Sequence, residues 1–253
     1  MSFKIKYPIR QIFLTAPSAR RSGQKAQPIK FLVAHDTGNE GSTARANVNY
    51  YERSRNEMSA SAHLFVDNLE IIECIPAFKQ AEKAWHVRYD MTQDNTRYGR
   101  EANDASIGVE LCYGGDVNTR EAYKRFVWVL AYLCEIYGLD PSTDICGHFE
   151  LDPKRKTDPV NALKTINKTM DDLLLDVRYE LEICRLGDDM LMQEIINRIE
   201  KLESRVSCDC PSWARSATDK AIKAGLIDNT NNGNGRSIDV YTMLVILDRK
   251  KLI

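Results

Sequence analysis

The 253-residue chain lacks any apolar run of the roughly 20 residues needed to cross a bilayer. Its first residues also lack the apolar core of a signal peptide, so the expectation is a protein made in the cytoplasm with no export signal of its own. An excess of either charge is missing: 35 basic residues face 36 acidic ones, which removes any general electrostatic pull toward nucleic acid. There is no Cys-x-x-Cys pair. The seven cysteines (Cys74, Cys112, Cys134, Cys146, Cys184, Cys208, Cys210) are odd in number and scattered, which speaks against a disulfide framework and for reduced, mostly buried thiols. Acid is absent from residues 1 to 35, where seven Lys or Arg occur; Pro8, Pro17 and Pro28 interrupt any amphipathic helix there, so this stretch reads as a surface lead-in to the first core strand. Histidine is scarce, with only His35, His63, His86 and His148.

What is present is a 43% hydrophobic composition, enough for a sizeable core, arranged in three parts. Residues 29 to about 150 mix strand-like and helix-like patterns. "IKFLVAHDTG" is a run of β-formers ended by Gly38, and "ASAHLFVDNLEIIECIP" reads as two strands around a turn at Asp67-Asn68. In "SIGVELCYGG", Ile107, Val109 and Leu111 share one face, and Glu110 and Cys112 the other. "EAYKRFVWVLAYLCEIYGL" carries apolar residues at helical spacing and stops at Gly138. The pattern predicts an α/β fold with a mixed central β-sheet flanked by helices. Expected boundaries are a domain over 1–178, a helical linker or coiled-coil-like segment over 179–206, and a small helical module over 207–253.

The middle part shows stripes at Ile166, Met170, Leu173 and Val177, then at Met192, Ile195, Ile199, Leu202 and Val206, with Gly187 between them. Either they are ordinary helices packed on their own domain, or the second is a coiled-coil-like seam. In the last part, Pro211 and Ser212 start a helix that ends at Gly225, with Trp213, Ala217, Ala221 and Ala224 on one face; a second helix follows a loop. About 45 residues are marginal for a self-sufficient core, so this part needs a partner surface.

The chemistry sits with the histidines. His35 ends a buried-type strand, where a scaffold can fix a side chain at the sheet rim. "GHFELDPKRKTDP" opens with His148 and closes with Asp158, and Gly147, Pro153 and Pro159 make it a loop. Two imidazoles and a carboxylate form a catalytic zinc set that leaves a fourth position for water. As bare spacing the pair is a weak signal, since a histidine in such a loop is more often a surface hydrogen-bonding residue.

In order along the chain, "FLVAHDTG", "SAHLFVD", "AWH", "NDASIGVEL" and "GHFELDPKRKTDP" resemble the zinc-dependent N-acetylmuramoyl-L-alanine amidases of the amidase-2 type, which share a fold with peptidoglycan recognition proteins and include phage endolysins. The resemblance covers roughly residues 7 to 170, and "YPIRQIFLTAPSARRSGQKAQPIK" is similar to the lead-in of phage and prophage members from Gram-positive hosts. It implies Zn2+ held by His35, His148 and Asp158, with Glu110 moving protons and Lys156 stabilising the oxyanion. His63 and His86 match positions that line the substrate groove, with a structural histidine hydrogen-bonded in place as the alternative for each, while Trp85 is expected to pack rather than bind. Many members carry Cys at the third ligand position, and relatives often carry Tyr where this chain has Ala62, so a hydroxyl from that position is missing or comes from elsewhere.

The resemblance further implies cleavage of the amide between the muramic acid lactyl group and L-alanine in the peptidoglycan of a Gram-positive host, with release to the wall through holin lesions. The alternatives are a non-catalytic peptidoglycan-binding protein, a prophage-encoded autolysin or a phage structural protein. "W-A…A-I-K-A-G-L-I-D" loosely resembles single surface-layer-type repeats, which implies a cell-wall ligand for the last part. The stripe and the small last part together predict a homo-oligomer, a dimer through residues 189–253, and no nucleic-acid or membrane partner.

Overall fold

Alternation in the sequence becomes a six-stranded mixed sheet: β1 (Ile9–Gln11), β2 (Phe31–Asp36), β3 (Leu64–Val66), β4 (Ile71–Glu73), β5 (Ser106–Leu111) and β6 (Ile145–Gly147), in the order β1-β4-β3-β5-β2-β6. Only β3 and β4 pair antiparallel, as the turn at Asp67-Asn68 requires; the other neighbours are parallel. Helices α1 (Ala44–Arg53), α2 (Gln93–Tyr98), α3 (Ala102–Ala105), α4 (Thr119–Tyr137), α5 (His148–Leu151), α6 (Val160–Lys164) and α7 (Met170–Leu186) complete this part. The computed structural model describes residues 3–186 and 208–253. They fall in two compact units, Met1–Arg185 and Leu186–Ile253.

The central strands are buried on both faces, so each face has its own consequence. Leu32, Ala34, Ile107, Val109 and Leu111 enter the main core, which also holds Phe126, Trp128 and Leu130 of α4. α4 is capped by the Asn118 side chain, which accepts from Glu121 N, and ends at Gly138, whose φ of 65° a side chain would resist. On the other face, Phe31 and Val33 join Val87, Ala102, Cys146 and Leu151 in a smaller cluster. The β2–β5 register pairs Phe31 with Ser106, Val33 with Gly108 and His35 with Glu110. That second face therefore runs from apolar packing to chemistry within three pleats.

α7 settles the first stripe. Leu173, Val177, Leu181 and Cys184 are buried and belong to the main core. The expected boundary at 178 thus falls inside one continuous helix, because the stripe continues for two further turns. The second stripe, at residues 192–206, lies outside the described residues.

In the second unit, α8 (Arg215–Lys223) and α9 (Ile238–Arg249) pack around Ala214, Ala217, Ala221, Tyr241 and Leu244. Trp213 and Ala224 are exposed while Ala217 and Ala221 are buried, so the four do not share one face: the helix begins at Arg215, later than Pro211 suggests, and its inner side is Ala214, Ala217, Thr218 and Ala221. Tyr241 pins the unit, its hydroxyl donating toward the carbonyls of Gly233 (2.8 Å) and Cys208 (3.1 Å). No described helix is long and apolar enough to cross a membrane.

Candidate metal centre and its cavity

Three elements converge at the sheet rim. His35 is the fifth residue of β2, and His148 follows directly on β6, which pairs with β2 through Ala34 and Gly147. Asp158 comes from the loop after α5. That loop is closed by a backbone bond from Phe149 N to Asp158 O at 3.1 Å, so the two ends of "HFELDPKRKTD" meet as its glycine and prolines suggested. Asp36 braces the arrangement: its carboxylate accepts from Ala162 N (3.1 Å), Asn161 and Gly38 N, tying the end of β2 to α6. The sequence reading gave Asp36 no role, although it stands in the same "HDTG" as His35.

The donor atoms are brought together. His35 Nδ1 and His148 Nδ1 lie 2.8 and 3.0 Å from the same oxygen, Asp158 Oδ2. One ligand atom from each residue falls within 4.8 Å of the others, and all three residues are buried. Against the opposing effect of burial, the hydrogen bond from His148 is the largest cause that holds the Asp158 carboxyl well below its ordinary range, so it stays an anion. Burial chiefly holds His35 down at about 4, which keeps it neutral. A carboxylate with two imidazoles is a donor set that suits zinc. His148 Nε2 and Glu110 Oε2 are buried with no hydrogen-bond partner among the described residues. Orphaned polar atoms beside such a trio fit a site built for a cation and a polar substrate.

Glu110 lies beside His35 in the β2–β5 register, on the face away from Ile107, Val109 and Leu111. Burial pushes its carboxyl up, Asp158 and Asp36 push it further, and Lys156 opposes them. Both Glu110 and Lys156 line a cavity of about 400 Å³ together with His35, His148 and Asp158. Lys156 makes no ion pair among the described residues and also lines an adjoining cavity of about 550 Å³, walled by Trp85, Arg88 and Tyr89. Trp85 borders both spaces, with its ring 5.9 Å from that of Tyr89. The expectation that it only packs is incomplete.

The other two histidines part company. His63 is fully buried; its Nδ1 accepts from Gly108 N (3.0 Å) and its Nε2 faces Glu82 O (2.9 Å). It lines neither cavity, and its two hydrogen bonds fit the structural alternative for this histidine. His86 borders both cavities but is 7% exposed, and its Nδ1 meets His35 Nε2 at 3.0 Å. Ala62 points into the main core. The phenol in the smaller cavity is Tyr51 of α1, whose ring packs edge-on against Phe65 and lies 4.2 Å from the buried Arg20 guanidinium. Finding Tyr51 from sequence would have required the packing of α1 on β3, which periodicity does not reveal.

Comparison with known proteins bears on this geometry. The family model described as N-acetylmuramoyl-L-alanine amidase (Amidase_2) matches residues 25–161. The N-acetylmuramoyl-L-alanine amidase BlyA of Bacillus subtilis (strain 168) is 34% identical over 140 residues, 53% of this chain and 38% of its own length. A probable N-acetylmuramoyl-L-alanine amidase of Bacillus licheniformis is 30% identical over 162 residues, 61% of this chain and 44% of its own length. The chain thus spans less than half the length of these two relatives. Among solved structures, that of PlyL superposes with a TM-score of 0.53 at 25% identity, covering 68% of this chain and 97% of that one. The catalytic domain of XlyA superposes with a TM-score of 0.54 at 23% identity, covering 67% and 99%, a likeness of fold.

Proposed function

The chain belongs to the N-acetylmuramoyl-L-alanine amidase family (Amidase_2), and from that premise we propose that it hydrolyses the amide bond joining the lactyl group of N-acetylmuramic acid to L-alanine in peptidoglycan. The observation that carries this reading is the buried His35, His148 and Asp158 trio with a Glu110 oxygen beside it that has no partner among the described residues. Zinc is the metal that this donor set suits; when bound it supplies a Lewis acid that polarises the scissile carbonyl and acidifies a water. His35, His148 and Asp158 would hold it. Glu110, as a carboxylate, accepts the proton of the attacking water and returns it to the leaving amine. The Lys156 ammonium, free of a competing partner among the described residues, faces the charge that develops on the carbonyl oxygen. Trp85 and Tyr89 give the adjoining cavity an aromatic wall on which a stem peptide can lie.

For the second unit the proposal is attachment to the wall of a Gram-positive host, and self-association as a dimer. Trp213 and, on α9, Val240, Met243 and Ile246 are exposed apolar side chains that support a covered surface there. Two linked wall-binding units would gain avidity on a repetitive polymer. Action on the wall after holin-type release completes the endolysin reading. The test is digestion of purified Gram-positive walls by the full chain with zinc: new L-alanine amino termini are expected. Wall binding without them would leave a peptidoglycan-binding protein instead.

A further inference from the structure

His86 has two ring nitrogens, and both are engaged. Nδ1 lies 3.0 Å from His35 Nε2, and Nε2 lies 3.2 Å from Ser106 Oγ. Ser106 has one hydroxyl proton and donates it to the Ala102 carbonyl at 2.7 Å, so toward His86 its oxygen acts as an acceptor. His86 Nε2 therefore carries a proton. The ring is buried, and none of its hydrogen bonds among the described residues goes to a carboxylate, so it is neutral and its Nδ1 holds a lone pair. His35 Nε2 must be the donor to that lone pair. His35 Nδ1 is then a bare lone pair facing Asp158 Oδ2 at 2.8 Å, two acceptors that call for a cation between them.

We propose that His86 and Ser106 form a one-directional hydrogen-bond relay that fixes His35 in the tautomer whose Nδ1 binds the metal, which makes His86 a positioning residue in addition to its place at the edge of both cavities. The inference rests on the metal reading above. Its parts are built for that one task. Asn103 Oδ1 accepts from the backbone N–H of His86 (2.8 Å) and of Val87 (3.0 Å), and so sets the ring's entry. Ser106 and Gly108 stand on the same face of β5 as Glu110, and a Cβ on Gly108 would lie 2.7 Å from His86 Cγ and Nδ1. The missing side chain is the seat of the ring. His148 has no such support, since its Nε2 is without a partner among the described residues. One imidazole ligand is thus held from behind and the other is set by the loop that carries it.

With four histidines, a 15N-histidine label on the full chain resolves every ring, and two-bond proton–nitrogen correlations read each tautomer. The relay predicts the proton on Nε2 of His86 with or without zinc, and on Nε2 of His35 in the zinc-loaded chain. His86 protonated on Nδ1, or on both nitrogens, overturns it. Zinc dissociation constants by chelator competition give the second readout. Ser106→Ala, which leaves the ring's volume intact, is expected to raise the constant about tenfold, and His86→Phe by about 10- to 100-fold. Constants within about threefold of the parent in both variants overturn the proposal; should His86→Phe not fold, Ser106→Ala and the tautomers decide it. A parent chain that binds no zinc defeats the metal reading, while the His86 tautomer still tests the relay.

Discussion

Gly108→Ala is the most informative single methyl group that can be added to this protein. Gly108 lies between two histidines: its N–H donates to His63 Nδ1, and its bare Cα leaves room for the His86 ring. A new Cβ would sit 2.7 Å from His86 Cγ and Nδ1, where ordinary contact begins near 3.4 Å, so the ring must retreat by about 0.7 Å. A retreat of that size, taken along the 3.0 Å contact to His35 Nε2, carries the pair past the limit of a hydrogen bond. Two effects follow with different signatures. Overpacking of a tight interior costs about 1–3 kcal/mol of stability in the absence of metal. Loss of the support behind His35 weakens zinc binding by about 10- to 100-fold, a further ~1.4–2.7 kcal/mol. Urea unfolding with excess chelator measures the first, and chelator competition at pH 7 the second. A Gly108→Ala chain whose metal-free stability stays within ~0.5 kcal/mol of the parent, and whose zinc constant stays within threefold, would show that the ring has slack the distances deny.

Three further outcomes are expected. Asp158→Ala should lose most bound zinc and activity together, because the remaining imidazoles are a two-donor site; near-stoichiometric zinc by atomic absorption would remove Asp158 from the ligand set. Glu110→Gln should keep zinc and fold while turnover on purified walls falls by ~10²-fold or more, and Lys156→Met should slow turnover by a similar order; parental rates would place the proton acceptor or the cation elsewhere. The metal-free chain should lose stability as pH falls from 6.5 toward 4. Burial holds His63 down at about 4, so the unfolded chain takes up a proton in that window and the folded chain does not. His35 adds to the same slope, whereas the contribution of Asp158 is lost only below the ordinary carboxylate range. The single shift of His63 is worth up to ~3 kcal/mol, and urea midpoints at pH 7 and 5 should differ less in His63→Gln than in the parent.

Some of this was legible in the sequence for identifiable reasons. His35 at the end of an apolar run, and His148 and Asp158 at the ends of a Gly- and Pro-bounded loop, are positions defined by local grammar. Glu110 could be placed by alternation alone, and β5 bears that out. The relay was not legible. "NDASIGVEL" shows Asn103, Ser106 and Gly108 as plain letters; they acquire roles only through the β2–β5 register and the arrival of His86 from a separate loop. Tyr51 required the docking of α1, and the choice between groove and scaffold for His63 required its burial, which a motif position does not carry. Trp213 shares a face with Ala217 and Ala221 only if the helix starts at Pro211 and Ser212, while the first helical residue is Arg215.

The closed loop from His148 to Asp158 also bears on the chain before it folds. Its two donors are 10 residues apart, whereas His35 is 123 residues from Asp158. Bringing the loop's ends together costs little chain entropy and takes on the order of 10–100 ns, so a disordered chain can already chelate a cation weakly with two donors. His35 joins only when β2 lies against β6. Metal bound by the unfolded ensemble does not favour the native state, so zinc should stabilise this fold by less than its native affinity suggests. The difference between two-donor and three-donor chelation is the part of the metal's free energy that reports whether the sheet has formed.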